Sequence, residues 1–136
     1  MEALFESTTE IRVRYAETDR MGYVYYGNYA TYFEVARVEA IKKLGLSYRA
    51  LEDSGIMLPV LQYSIKFYKP AFYDDLLKIN TRITLCKGTR IVFDYTVLNE
   101  DGQVLSQADT TLVFISAATK KPIAVPEILL SALSNV

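Results

Sequence analysis

From Asn28 to Leu44 the apolar residues Tyr29, Tyr32, Phe33, Ala36, Ala40, Ile41 and Leu44 recur at helical spacing, and this stripe constrains the fold more than any other feature of the chain. Asn28 is placed to cap its start and Gly45 to stop it. A helix of that length must lay its apolar side against something large, and the rest of the chain supplies mainly strands. Thr8 to Tyr15 alternates Ile11, Val13 and Tyr15 against Glu10, Arg12 and Arg14, the period of a half-buried strand. A short helix is expected over Ser47–Ser54, capped by Ser47 and closed by Gly55. Leu58–Tyr68, Leu76–Leu85, Arg90–Leu98 and Val104–Ile115 read as extended; Pro70 separates the first two, and Asp101-Gly102 makes a hairpin of the last two. Pro122 and Pro126 precede a short C-terminal helix over Glu127–Leu133. The sum is an α+β chain in which an antiparallel sheet of about five strands packs on one long helix. One helix covers only part of such a sheet. Apolar surface and a sheet edge are left for a partner, so a homo-oligomer is expected, a dimer at least.

Composition narrows the chemistry. The 136 residues fit one domain spanning 1–136, and 51% hydrophobic with 23% charged residues is the balance of a folded globular chain. A net charge of −1 with no block of like charges argues against a nucleic-acid partner. No apolar run approaches the roughly 20 residues that cross a bilayer, so no membrane insertion is expected. The polar, acidic segment Met1–Glu10 is unlike a secretory signal, and the lone Cys86 cannot form an internal disulfide. Both observations fit a cytoplasmic protein. The chain has no histidine, which rules out Ser-His-Asp and Cys-His catalysis and any histidine-ligated metal. One cysteine cannot build a thiolate cluster either, so no metal site is expected. Any acid–base group must be a carboxylate, a lysine, a tyrosine or the single thiol.

The stretch that carries chemistry runs Tyr15-Ala16-Glu17-Thr18-Asp19-Arg20-Met21-Gly22-Tyr23-Val24-Tyr25-Tyr26-Gly27-Asn28-Tyr29. A strand delivers Asp19 into a loop, and a glycine-flanked aromatic turn then opens the long helix. The unpaired N–H groups and positive dipole end of a helix start favour developing negative charge. A carbonyl placed there would be polarised and its oxyanion stabilised, with Asp19 attacking directly or activating water. On residue type alone an Asp in such a loop is most often a turn former, and it is the surrounding pattern that argues for more. Glu17 reads as a polar loop residue, and Cys86, ending an apolar strand, as a small buried side chain.

That pattern resembles the 4-hydroxybenzoyl-CoA thioesterase-like branch of the hotdog superfamily, including the acyl-CoA thioesterases associated with the Tol–Pal cluster. The residues that carry the resemblance are Tyr15, Thr18, Asp19, Gly22, Val24, Tyr25, Asn28, Tyr29, Phe33, Glu34, Ala36 and Arg37, followed by Lys66-Phe67, Pro70, Tyr73, Asp74 and Leu76. It implies a hotdog fold, with the sheet wrapped around the long helix, and hydrolysis of acyl-CoA or aryl-CoA thioesters to free acid and CoA. It also implies active sites at a homodimer interface, with dimers pairing into homotetramers. CoA would be part of the substrate, with no cofactor. The family carboxylate falls on Asp19, as nucleophile or general base, and the oxyanion contact on the Tyr26 backbone N–H, helped by Gly27. Gly22, Val24, Tyr25, Asn28 and Tyr29 would complete the substrate-binding segment. Tyr26 stands where many Tol–Pal-associated members carry histidine, so a histidine-assisted step is unavailable; the aryl-CoA-type members carry tyrosine there too. Glu34 is a second candidate carboxylate, because a related hotdog lineage works from its helix. Lys87, Thr89 and Arg90, in a turn between strands, are candidates to grip the CoA phosphates; ordinary hairpin solubility explains them equally well. Lys69, Lys120 and Lys121 are weaker versions of the same idea. Tyr25, Tyr29, Tyr32 and Tyr63 could line an acyl or aryl pocket, or be plain core. The alternative function is an acyl-CoA or acyl-carrier binding protein that does not hydrolyse its ligand. A hotdog dehydratase would need a histidine.

Overall fold

The computed structural model of the chain describes residues 2–136. Seven strands and three helices follow in the order β1 (Phe5–Arg12), α1 (Asn28–Lys43), α2 (Tyr48–Asp53), β2 (Ile56–Met57), β3 (Val60–Phe67), β4 (Leu76–Lys87), β5 (Arg90–Leu98), β6 (Val104–Val113), β7 (Ile115–Ser116) and α3 (Glu127–Ser134). Five strands form one antiparallel sheet in the order β1-β4-β5-β6-β3, while β2 and β7 pair separately. The sheet laid around α1 is the hotdog arrangement.

The packing follows from alternation. On β5 the side chains of Ile91, Phe93, Tyr95 and Val97 are buried, and those between them are half-exposed. Leu77, Ile79 and Ile83 of β4 join them on the inner face, and a bulge between Ile83 and Leu85 shifts the phase so that Cys86 is also buried. From α1 the residues Tyr29, Tyr32, Phe33, Ala36, Ala40 and Ile41 descend onto this face. Phe33 is wholly buried and stacks on Tyr95 with ring centroids 4.4 Å apart. The helix ends in a Schellman motif. Leu46 N–H donates to the Ile41 carbonyl at 3.1 Å and Gly45 N–H to that of Lys42 at 2.8 Å, with Gly45 at φ +84° as the left-handed turn requires.

Several sequence expectations shift. The first strand runs Phe5–Arg12, not Thr8–Tyr15, because its pairing with β4 stops at Arg12 opposite Leu76. Val13 is still buried, but Tyr15 turns out to solvent at the start of a short 3-10 turn, Tyr15–Glu17. The segment expected over Leu58–Tyr68 narrows to β3, Val60–Phe67, and the short strand β2 lies ahead of it at Ile56–Met57. Asn28 is not the cap of α1: Gly27 takes that position, and the Asn28 side chain donates to the Glu17 carbonyl at 2.8 Å. Ser47 does cap α2, accepting from Ala50 N–H at 3.2 Å. The Asn99–Gln103 turn joins β5 to β6 as Asp101-Gly102 suggests, with Gly102 at φ +78°.

α1 packs towards the β1–β4 side of the sheet, which leaves the edge strand β3 poorly covered. Val60, Leu61, Tyr63, Phe67 and the adjoining Tyr68 are all exposed along it. No helix among the described residues is long and apolar enough to cross a membrane.

Candidate active site

The loop between β1 and α1 is held by Glu17. Its carboxylate accepts from Arg14 N–H at 2.8 Å, from the Arg14 guanidinium at 3.0 Å and from the Tyr32 hydroxyl at 2.9 Å. Its carbonyl accepts from Tyr25 N–H and from Asn28 Nδ2, both at 2.8 Å. One residue thereby ties the loop to the first two turns of α1. Burial alone would raise the Glu17 carboxyl, but the Arg14 backbone N–H, the Tyr32 hydroxyl and the Arg14 guanidinium together hold it below its usual 4.5. A lowered carboxylate stabilises the fold above its unfolded value and loses that contribution as pH falls through the folded one. The Tyr25 amide is therefore expected to stay protected from hydrogen exchange at pH 5 and to lose protection progressively below 4.5. In Glu17→Gln this pH step should vanish, with faster exchange already at pH 7.

Within this loop Asp19 makes an Asx turn. Its Oδ1 accepts from Met21 N–H at 2.9 Å and Tyr23 N–H at 3.2 Å, while its own N–H donates to the Tyr23 carbonyl at 2.8 Å. Gly22, at φ +81°, closes the turn by donating to the Asp19 carbonyl at 3.0 Å. Oδ2 of Asp19 takes no hydrogen bond among the described residues. Asp19 belongs to the lining of a cavity of about 320 Å³, together with Met21, Tyr23, Val24, Tyr26, Tyr29, Phe67, Tyr68, Lys69 and Pro70. Val24 is anchored there by its N–H to the Ala71 carbonyl at 2.9 Å. Tyr29 is buried in the wall, and that burial, with the nearby Tyr63 hydroxyl, pushes its phenol up to about 12.

Tyr26 and Gly27 lie just ahead of the helix, and their N–H groups meet no acceptor among the described residues. Two free donors at a helix start, the first of them on a residue lining a cavity that also holds a half-buried carboxylate, suit a reacting carbonyl. A Cβ at Gly27 would come within 2.7 Å of the exposed Tyr25 ring, which would have to swing aside. Tyr25 packs on Tyr26 with centroids 4.7 Å apart.

Of the residues singled out from the sequence, Asp19, Val24, Tyr26 and Tyr29 share the cavity lining. Gly22, Tyr25, Gly27 and Asn28 shape the loop and helix start without lining it. Tyr32 is core, Tyr63 belongs to a neighbouring groove, and Glu34 is exposed on α1 away from the cavity. Cys86 is buried, and burial raises its thiol to about 11. Lys87, Thr89 and Arg90 are not beside Asp19. They turn β4 into β5 at the far end of a strand whose other end meets the loop, about 35 Å away at the usual rise per residue. Thr89 and Arg90 line another depression, with Pro59, Val60 and Leu61. The basic residue at the Asp19 cavity is Lys69, and its apolar floor comes from Phe67 and Tyr68. The Lys66-Phe67…Pro70 run marked this segment in the sequence, but nothing local showed that it would meet the loop.

A wrapped sheet with a carboxylate and an unpaired N–H at the head of its helix lining one cavity defines a candidate hydrolase of activated acyl groups. Residues 13–133 match the thioesterase-like superfamily, and the chain belongs to that family. It is 37% identical over 117 residues to a putative acyl-CoA thioesterase of Bacillus subtilis, YneP, covering 86% of this chain and 85% of the relative. The structure is similar to a DHNA-CoA thioesterase of Staphylococcus aureus, with TM-score 0.92, 41% identity and coverage of 96% and 89%. It is also similar to an Asp-to-Asn variant of 4-hydroxybenzoyl-CoA thioesterase in complex with 4-hydroxybenzoyl-CoA. There the TM-score is 0.85, the identity 25% and the coverage 94% and 98%.

Proposed function

We propose that this chain hydrolyses acyl-CoA or aryl-CoA thioesters to the free acid and CoA, with Asp19 as the working carboxylate. The observation that carries the reading is that Asp19, its Oδ2 unclaimed, and Tyr26, its N–H unclaimed, line one cavity, with the unclaimed N–H of Gly27 next in the chain. The thioester carbonyl would point at those N–H groups, which stabilise the oxyanion as the tetrahedral centre forms. Asp19 would take a proton from the attacking water, CoA thiolate leaving as the acid forms, or would itself add to the carbonyl carbon, CoA thiolate leaving a mixed anhydride on Asp19 that water then hydrolyses to the free acid. No step requires a metal or organic cofactor. The acyl-CoA activity named for the relatives supports this substrate class.

The same reading includes a homodimer built on β3. A two-fold axis near the middle of β3 would bring the Val60 end of one copy against the Phe67 end of the other, as antiparallel edge strands pair. Thr89 and Arg90 lie by Val60, so a second copy would carry the Lys87–Arg90 turn towards the Asp19 cavity of the first, where CoA phosphates would emerge beside Lys69. A cytoplasmic setting and further pairing to a tetramer are part of this proposal.

The test is release of free CoA thiol from a panel of aliphatic and aromatic CoA esters at neutral pH. Turnover of any member well above its spontaneous rate supports the hydrolase. Tight binding of CoA esters with no thiol released across the panel would replace it with a non-hydrolysing acyl-CoA or acyl-carrier binding protein.

A further inference from the structure

The groove that α1 leaves along β3 continues beyond the Asp19 cavity. Tyr29 and Phe67, centroids 5.2 Å apart, wall the cavity; one helical turn on, Phe33 and Tyr63, 6.1 Å apart, wall a second hollow of about 230 Å³. Tyr29 and Phe33 lie 6.3 Å apart and join the two. The lining of this second hollow is mostly apolar, and two buried polar residues, Thr110 and Arg37, take part in it.

Arg37 is the unusual residue. Only 8% of it is exposed, yet it forms no ion pair among the described residues. Its Nη1 donates to the Tyr95 hydroxyl at 3.1 Å, that hydroxyl is shared with Thr110 Oγ1 at 2.6 Å, and the guanidinium also meets the Tyr48 hydroxyl. A guanidinium keeps its charge and carries five donors, so two neutral hydroxyls leave donors over and the charge without an anionic partner among the described residues. A buried charge without a counter-charge is costly, and an anion arriving in the hollow would relieve that cost.

The spacing fits a substrate lying along the helix. Arg37 is eleven residues beyond Tyr26, about 16 Å along the axis, and side chains lean towards the helix start, which brings the guanidinium to about 10 Å from the carbonyl position. Aromatic walls of this length suit a single ring. We propose that Arg37 determines specificity in this channel, selecting CoA thioesters whose acyl group is an aromatic ring with a carboxylate on its far side. This rests on the thioesterase reading of the Asp19 cavity.

Two non-hydrolysable thioethers, S-(4-carboxybenzyl)-CoA and S-benzyl-CoA, are titrated into wild type, Arg37→Met and Arg37→Lys. Wild type is expected to hold the carboxylated ligand about 30-fold more tightly or better, the usual scale for a desolvated charge pair. Arg37→Met should erase the preference and leave S-benzyl-CoA binding unchanged. Its melting temperature should be no lower than that of wild type, since replacing a buried charge by an apolar group of similar size is often neutral or stabilising. Arg37→Lys, which keeps the charge but loses the planar fork, should bind the carboxylated ligand about tenfold more weakly than wild type and S-benzyl-CoA equally. No preference in wild type, or the same preference in both variants, overturns the proposal. Equal loss of both ligands with a lowered melting temperature assigns Arg37 to the fold or the subunit contact and overturns it too. Binding is read without turnover, so failure of the hydrolase itself would show separately, as absence of thiol release from every ester.

Discussion

Asp19→Asn is expected to cut the rate of thioester hydrolysis at least about 100-fold, the scale at which a general base or nucleophile contributes. The geometry makes this variant a clean one. Asp19 Oδ1 already accepts from Met21 and Tyr23, and an Asn side-chain oxygen can accept from the same two N–H groups. What changes is Oδ2, which becomes an NH2 group that can neither attack nor take a proton. The Asx turn, the cavity and the melting temperature should therefore be retained, and CoA-ester affinity should stay within a few-fold of wild type. Asp19→Ala would confound the loss of chemistry with loss of the turn. Steady-state thiol release together with a binding titration separates the two effects. A rate within threefold of wild type would move the chemistry away from Asp19.

Phe33→Ala is expected to be the most destabilising single change on α1. The ring is wholly buried, stacked on Tyr95 and in edge contact with Tyr63, so its removal leaves a cavity at the centre of the core. Truncations of this kind cost about 3–5 kcal/mol, a large share of the roughly 5–15 kcal/mol that holds an ordinary domain together. Phe33→Leu fills most of the space and should cost clearly less. Urea denaturation midpoints of the two variants check the order. Because Phe33 also walls the second hollow, the Leu variant should additionally alter affinity for aromatic CoA esters.

The long helix, the β5–β6 hairpin and the segment carrying Asp19 were legible in the sequence because each is encoded locally, by spacing or by a turn pair. The first strand was misplaced for a physical reason. Its buried face includes Ser7 and Thr9, small polar residues that hide the alternation, whereas Ile11, Val13 and Tyr15 advertise one that outlasts the sheet pairing. Glu17 read as an ordinary loop residue because Tyr32, one of its main partners, lies fifteen positions away and meets it only in the folded chain. Asn28 looked like a cap for the same reason: its amide prefers the Glu17 carbonyl, which no helix rule anticipates. Lys87, Thr89 and Arg90 were chosen for charge and turn character, but the length of β4 decides how far they stand from Asp19 within one chain. Lys69 has the same charge and lies at the cavity, so position along the sheet decided where composition could not.

The sheet order also sets a timetable for synthesis. β1 is made first but pairs only with β4, where Phe5 lies opposite Ile83, and β3 must wait for β6, where Lys66 lies opposite Gln107. At about 5–20 residues per second, roughly 4–16 s separate the emergence of β1 from that of its partner. For about the latter half of that interval the whole of α1 is outside the ribosome with Tyr29, Tyr32 and Phe33 uncovered. The β4–β5 and β5–β6 hairpins close locally as soon as they emerge, so they are the natural seed, and the early part of the chain folds back onto them. The loop carrying Asp19 thus takes its shape late, once material translated well after it has supplied the surface on which α1 can settle.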